Sequence, residues 1–209
     1  MEILTTDPET VDPSVVARVS RVLMGGGIVA MRTDTVYGLL ASVDRPDALE
    51  KLVQLKVRPR DKPFILLAAD WIAVRAVTSH LPPVARILWS RYWPGPLTLV
   101  LPGHEDLPPA VRANGPTVAV RVPGDPLLLA ILHEFRGAVA APSANLPGEP
   151  PATTVDEVAA MFDGGVDLAV DSGPAVGARA STIVNCTEFG GEILREGPVR
   201  PTSRELSTG

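Results

Sequence analysis

Hydroxyls and cations gather where apolar runs stop. The stretch "RTDTVYGL", Arg32 to Leu39, sets two threonines and an acid directly after "GGGIVAM". The placement recurs with Arg121 near the end of "TVAVRV", Ser143 and Asn145 after "AVAAP", Ser181 and Thr182 opening "STIV", and Arg195 after "EIL". Strand ends that line a crevice are a common construction for a ligand site in an α/β protein. Each residue has a plainer reading as well. Ser-Ala-Asn after proline makes a turn, and Thr-Asp-Thr supplies turn and cap hydrogen bonds. The repetition of one placement is what points to a polar pocket, with Ser143 and Asn145 expected to act in the site rather than in the fold.

A second chemistry-bearing stretch is "LKVRPRDKP", which ends at Pro63. Lys56 closes a helix, where a cation meets the negative end of the dipole. That account does not cover Arg58, Arg60 and Lys62, held in a loop between two prolines. A rigid basic loop suits a polyphosphate, because arginine forks onto two oxygens and lysine acts as a point charge. No G-x-x-x-x-G-K-[ST] and no G-x-G-x-x-G occurs, so a bound nucleotide would be held by another device. His80, His104 and His133 show no metal-ligand spacing, and no nucleophile elbow surrounds Ser143.

The elements that must position these groups alternate between helix and strand. Asp12-Pro13 reads as an N-cap and first helical residue, with the helix running to about Met24 and the Gly25–Gly27 run ending it. "IVAM" reads as a strand and "TDTVYGLLASVD" as a loop. Pro46 opens a helix through "DALEKLVQLK", and "PFILLAA" follows as a strand. Helices are expected around 72–77 and 83–92, then strands at "PLTLVL" and "TVAVRV". "DPLLLAILHEF" reads as a capped helix, "AVAAP" as a strand and "TVDEVAAMF" as a helix with a threonine cap. "DLAVD", "STIVNC" and "EILRE" read as short strands. The class is α/β or α+β. Two pairs of consecutive strands lack a helix between them, which predicts a mixed sheet.

The 209 residues suffice for one sizeable domain, and 45% apolar against 4% aromatic content predicts an aliphatic core. A net charge of −5 argues against a general electrostatic grip on nucleic acid. The single cysteine, Cys186, excludes an internal disulfide and a multi-cysteine zinc site. The N-terminus has no apolar signal core and no run is long enough to span a bilayer, so the expectation is a cytoplasmic protein with no membrane partner.

In order, "RTDTVYGL", "LKVRPRDKP", "WPGPLTLVL", "TVAVRVP", "APSANLPGEPPATT", "STIV" and "ILREG" resemble the YrdC-like family of threonylcarbamoyl-adenylate synthases. The family's K-x-R and S-x-N signature stands here as Lys56, Arg58, Ser143 and Asn145. The likeness covers nearly the whole chain. It implies one YrdC-like domain over 1–209, core about 15–198, of the short type: a twisted mixed sheet with flanking helices and a deep concave cavity.

The resemblance further implies a reaction. L-threonine, bicarbonate and ATP would give threonylcarbamoyl-AMP and pyrophosphate, and downstream transfer proteins would carry the group to tRNA adenosine 37. Direct contact with tRNA would be weak at most. Mg2+ would ride mainly on the ATP phosphates, with no protein metal site. Thr33, Thr35, Arg121, Ser143 and Ser181 would hold threonine. Arg58, Lys62, Thr117, Asn145, Thr153 and Arg195 would hold ATP. Lys56 would sit by the phosphates or the carboxylated intermediate, and Lys56, Arg58, Ser143 and Asn145 form the catalytic set. Three positions depart from the family pattern. Arg32 replaces a proline and would add a cation near the pocket mouth, Leu67 stands where many members have histidine, and Asn185 stands where aspartate is frequent. The alternative is a paralogue of the same fold that binds nucleotide or double-stranded RNA without this reaction.

Overall fold

The computed structural model describes residues 1–57, 63–162, 164–175 and 179–207. The chain opens with β1 (Glu2–Thr5) and α1 (Pro13–Met24). Asp12 starts α1 by accepting from Ser14 N at 2.8 Å, and Pro13 needs no amide partner in the first turn. Val15, Val19 and Leu23 are its buried stripe. Next come β2 (Val29–Arg32), β3 (Tyr37–Ser42), α2 (Pro46–Leu55), β4 (Ile65–Leu67), α3 (Trp71–Arg75) and α4 (Pro83–Tyr92). Then follow β5 (Leu97–Pro102), α5 (Pro109–Arg112), β6 (Thr117–Arg121), α6 (Pro126–Phe135), β7 (Val139–Ala140) and α7 (Val155–Phe162). The chain closes with β8 (Leu168–Asp171), β9 (Thr182–Asn185), β10 (Glu192–Arg195) and α8 (Ser203–Leu206).

The strands form one sheet in the order β1-β8-β2-β3-β7-β4-β6-β5-β9-β10. It is mixed: β4 lies parallel to β6 and β5 to β9, whereas β5 and β6, and β9 and β10, are antiparallel. Two apolar layers cover it. Side chains of α1 and α6 pack on one face with Val29, Met31, Leu40 and Val139. Side chains of α2, α4 and α7 pack on the other with Leu39, Leu66, Val118 and Val120. Cys186 is buried in this second layer, and burial pushes its thiol up to about 12. Among the described residues no helix is long and apolar enough to cross a membrane.

The sequence reading places no element at β1, α5 or α8, and one segment that it does assign differs. Residues 37–42, expected as loop, are β3, paired antiparallel with β2 and β7. All six are buried, so both faces of the strand are covered and no polar alternation marks it. The hairpin from β2 to β3 leaves only 33–36 as the connection, so Thr33 and Thr35 sit at its tip.

Candidate functional site

The tip of that hairpin, the C-terminal ends of β4 and β6, and the segment after β7 meet around a cavity of about 160 Å³. Parallel pairing sets Leu67 beside Arg121, so both reach the same wall. Thr33, Thr35, Tyr37, Ser143, Ser181 and Arg195 contribute further lining. The volume suits an amino-acid-sized ligand and falls below the ~300–1,000 Å³ usual for larger ligands. A nucleotide would have to extend beyond it.

Their contacts separate the two threonines. The Thr33 hydroxyl donates to Val36 O at 2.8 Å, and it accepts from Thr35 N at 3.0 Å and Val36 N at 3.3 Å. These contacts commit the Thr33 hydroxyl to the turn, and it lies 2.9 Å from the Thr35 hydroxyl, a contact in which either oxygen can donate. Thr33 thus builds the turn. Thr35 Oγ1 accepts from Arg121 Nη1 at 3.1 Å, so this hydroxyl and the guanidinium stand together at the cavity.

Arg121 is buried and held on three sides. Its Nε donates to Gly95 O at 3.0 Å, Nη1 meets Thr35, and Nη2 lies 2.5 Å from Asp34 Oδ1. Asp34 is the residue that sequence reasoning missed. The contact is ionic without an aligned hydrogen bond, and both Asp34 oxygens are sealed from solvent. An internal carboxylate therefore already meets one edge of the guanidinium expected to hold a substrate carboxylate. A second pair stands behind this one. Arg32 Nε lies 3.4 Å from Asp125 Oδ2, and Asp125 Oδ1 caps α6 through Leu128 N at 3.0 Å. Burial raises the Asp125 pKa, with the Asp34 charge adding to the rise and the Leu128 amide and Arg32 opposing it. Arg32 is committed to Asp125 and to Pro8 O, so it is no loose cation at the pocket mouth.

On the far wall Ser181 Oγ lies 2.8 Å from Thr98 Oγ1 and accepts from Arg195 Nη2 at 3.1 Å, while Arg195 Nε donates to Ser181 O at 3.0 Å. Loss of hydration around its guanidinium and then the charge of Arg121 lower the Arg195 pKa. Two like charges held over one small cavity leave an anion-attracting centre. Tyr37 donates to Gly173 O at 2.7 Å, and burial pushes its phenol up to about 12.

The S-x-N turn is tied to α2. Lys56, buried at the end of that helix, donates to Ser143 O at 2.7 Å, to Asn145 O and to Asn145 Oδ1 at 3.0 Å. Ser143 Oγ donates to Asn145 Oδ1 at 2.6 Å, and Asn145 Nδ2 donates to Leu146 O at 3.1 Å and Glu149 O at 2.8 Å. Asn145 therefore knits the turn with both ends of its amide, whereas Ser143 lines the cavity. The two should separate on substitution. Asn145→Ala is expected to cost roughly 1–3 kcal/mol through orphaned partners, which lowers Tm by several degrees. Ser143→Ala should stay within about 0.5 kcal/mol. Equal melting temperatures for the two variants would show that the turn does not depend on the amide.

Of the remaining expected ligands, Thr117 and Thr153 lie apart from the cavity wall. Thr117 begins β6 and Arg121 ends it, so they stand on one face about 13 Å apart along the strand. Thr153 donates through N and Oγ1 to Glu157 Oε2 at 2.6 and 3.0 Å, at the start of α7. It belongs to the same rim as Asn145, since Ala152 N donates to Ala144 O at 2.7 Å. Arg58 and Lys62 lie outside the described residues. Asn185 Oδ1 caps a turn by accepting from Thr187 N at 3.1 Å and Thr187 Oγ1 at 2.8 Å, away from the cavity. Among the described residues no group of three or more His, Cys, Asp or Glu side chains could hold a metal ion.

Residues 21–197 match the sequence profile of the Sua5/YciO/YrdC family, described as "Telomere recombination". The chain belongs to the Sua5/YciO/YrdC family. Over 209 residues it is 38% identical to a threonylcarbamoyl-AMP synthase of Bacillus subtilis, covering all of this chain and 59% of that protein. The structure of Pyrococcus abyssi Sua5 complexed with L-threonine aligns at TM-score 0.89 and 33% identity, covering 94% of this chain and 58% of that one. Escherichia coli YciO aligns at TM-score 0.86 over 99% of this chain at 21% identity, which shows the shared fold. The chain thus spans less than two thirds of the first two relatives. As in the first reading, this family frame is a mixed α/β domain with helices on both faces. The motif order and the strand-end placement were legible in the sequence. The Asp34–Arg121 pair was not.

Proposed function

We propose that this chain is an L-threonylcarbamoyladenylate synthase, making threonylcarbamoyl-AMP and pyrophosphate from L-threonine, bicarbonate and ATP. The observation that carries the reading is the small cavity whose floor is the buried Arg121 guanidinium beside Thr35. An arginine edge takes a carboxylate and a hydroxyl lone pair takes an ammonium, so the pair suits the two ends of an α-amino acid. The family relative that binds L-threonine and the synthase relative support it.

In this reading Arg121 and Ser181 fix the threonine carboxylate, and Thr35 and Ser143 orient the amine. The amine adds to carbon dioxide with loss of a proton, or to bicarbonate with loss of water, giving a carbamate. A carbamate oxygen then bonds to the α-phosphorus as the bond to pyrophosphate breaks. Arg195, at the cavity edge, and Arg58 and Lys62 offset the charge that builds on the phosphoryl oxygens. Carbamates take up a proton in water and fall back to amine and carbon dioxide, so the enclosed wall of Tyr37, Leu67 and Pro142 protects the intermediate. The described lining holds no carboxylate, and the Asp34 oxygens are committed to Arg121, so these side chains do not by themselves hold magnesium. The ion would enter on the ATP phosphates. The product would pass to transfer proteins that modify tRNA in the cytoplasm.

The test is mass spectrometry of the purified chain with ATP, magnesium, bicarbonate and L-threonine. A threonylcarbamoyl-AMP species that needs all of the substrates is expected. Its absence, with ATP and threonine bound, would leave a binding paralogue in its place.

A further inference from the structure

A second concavity, of about 620 Å³, lies between α3 and α4 and shares no lining residue with the cavity above. Trp71 and Arg75 stand four residues apart on α3, and Arg86 and Trp89 three apart on α4. Those spacings put an indole and a guanidinium on one face of each helix. The two indoles stack across the gap with centroids 4.3 Å apart and planes inclined by 12°. His80 and His104 join from the flanking loops, and among the described residues no carboxylate is part of the lining.

What sets the place apart is the gathering of two arginines and two imidazoles around one pair of stacked indoles. Several cations elsewhere are paired: Arg18 meets Glu2, Arg45 meets Asp47, Arg91 meets Glu205, and Arg112 is spent on main-chain oxygens. Among the described residues the side chains of Arg75, Arg86, His80 and His104 have no hydrogen-bond or ion-pair partner. In a chain of net charge −5, unpaired cations converging on one aromatic-walled hollow are not an average surface. The indoles pack on the core layer beneath α2, α4 and α7.

We propose that the α3–α4 concavity is a second binding site, for a small nucleoside phosphate. Two arginines fork onto phosphate oxygens and the imidazoles add donors. The indole pair offers a flat apolar surface to the base. The volume fits a mononucleotide-sized ligand. The acidic balance of the whole chain disfavours a long polyanion, so the ligand is a free nucleotide and not an RNA strand.

The test uses the three tryptophan indole N–H signals in nitrogen–proton NMR spectra, assigned by single Trp→Phe changes. Trp93 serves as the internal control, because its indole donates to Leu97 O at 2.6 Å and is no part of this hollow. Titration with AMP should shift the Trp71 and Trp89 signals saturably and leave Trp93 nearly still. The exposed pair Arg75→Gln/Arg86→Gln should weaken the apparent affinity at least tenfold while the spectrum stays that of a folded chain. Adenosine should bind at least tenfold more weakly than AMP, and inorganic phosphate should shift the same two signals more weakly than AMP. Any of three results would overturn the site: no saturable shift at Trp71 and Trp89, unchanged affinity in the double variant, or adenosine equal to AMP. A single-stranded oligoribonucleotide binding more tightly than AMP would overturn the assignment to a free nucleotide.

Discussion

Lys56→Met should lower the melting temperature by roughly 5–12 °C and cut product formation about 10²-fold. The ammonium is buried, and its contacts to Ser143 O, Asn145 O and Asn145 Oδ1 match the three donors of a lysine. Methionine fills a similar volume but donates nothing. Each carbonyl that loses a charged donor forfeits part of a bond of ~1.5–3 kcal/mol, and water at the turn returns some of it. A net loss of roughly 2–4 kcal/mol follows, at about 2–4 °C per kcal/mol for a chain of this size. The functional loss has a different origin. With the strut gone, the turn carrying Ser143 relaxes against the cavity wall, and a shift of ~1 Å in a positioning group can cost ~10²-fold. Lys56→Arg should recover little, because a planar fork cannot aim at three oxygens converging on one point. The next residue tells the same story. Val57 leaves α2 with φ 46°, a left-handed conformation that a β-branched side chain resists. That strain persists because its neighbour is pinned. The checks are thermal melts and threonine-dependent pyrophosphate release. A solvated helix-end cation would contribute only ~0.3–1 kcal/mol and leave turnover untouched. That outcome would return Lys56 to the helix dipole and remove it from the site.

Local signals carried the elements that are locally determined. Asp12-Pro13 and Asp125-Pro126 each start a helix, because a carboxylate cap and a proline act within one turn. Strand-end hydroxyls were legible as a set because the sheet collects strand termini along one edge of a crevice. The gaps have physical reasons. β3 carries no alternation because helices cover both sheet faces, so "YGLLAS" looked like an extension of the turn before it. β1 is a mostly exposed edge strand, held by parallel pairing with β8, and nothing in the four residues "EILT" announces a partner so distant in sequence. α8 was a missed opportunity, since Thr202 and Glu205 form a capping box written plainly as "TSRE". The contacts of Thr33 and the saturation of Asn145 depend on three-dimensional neighbours. No reading of residue types separates a threonine that builds a turn from one that faces a ligand.

Two roles are folded into the Arg121 guanidinium, one toward Asp34 and one toward the cavity. Arg121→Met should raise the threonine requirement about 10²-fold or more and leave the ATP requirement within about threefold. It should also destabilise the fold, and that effect is separable. Asp34 sits 2.5 Å from Arg121 Nη2 with oxygens sealed from water. Removing one partner of such a pair strands the other charge, at a typical cost of ~3–5 kcal/mol. The single variant therefore risks losing activity merely by loosening the hairpin tip. Asp34→Asn/Arg121→Met avoids this, since a neutral amide replaces the stranded carboxylate in nearly the same shape. The double variant should recover most of the lost stability, to within about 1 kcal/mol of the parent, as replacement of both partners of a buried pair often does. If Arg121 receives the threonine carboxylate, the double variant stays folded and still cannot use threonine at ordinary concentration, because no fork remains beside Thr35 and Ser181. If Arg121 exists only to neutralise Asp34, the double variant regains both stability and threonine use. Melting temperatures of the parent and the two variants, read beside threonine and ATP titrations of each, decide between these roles, and recovered threonine use would remove Arg121 from the substrate site.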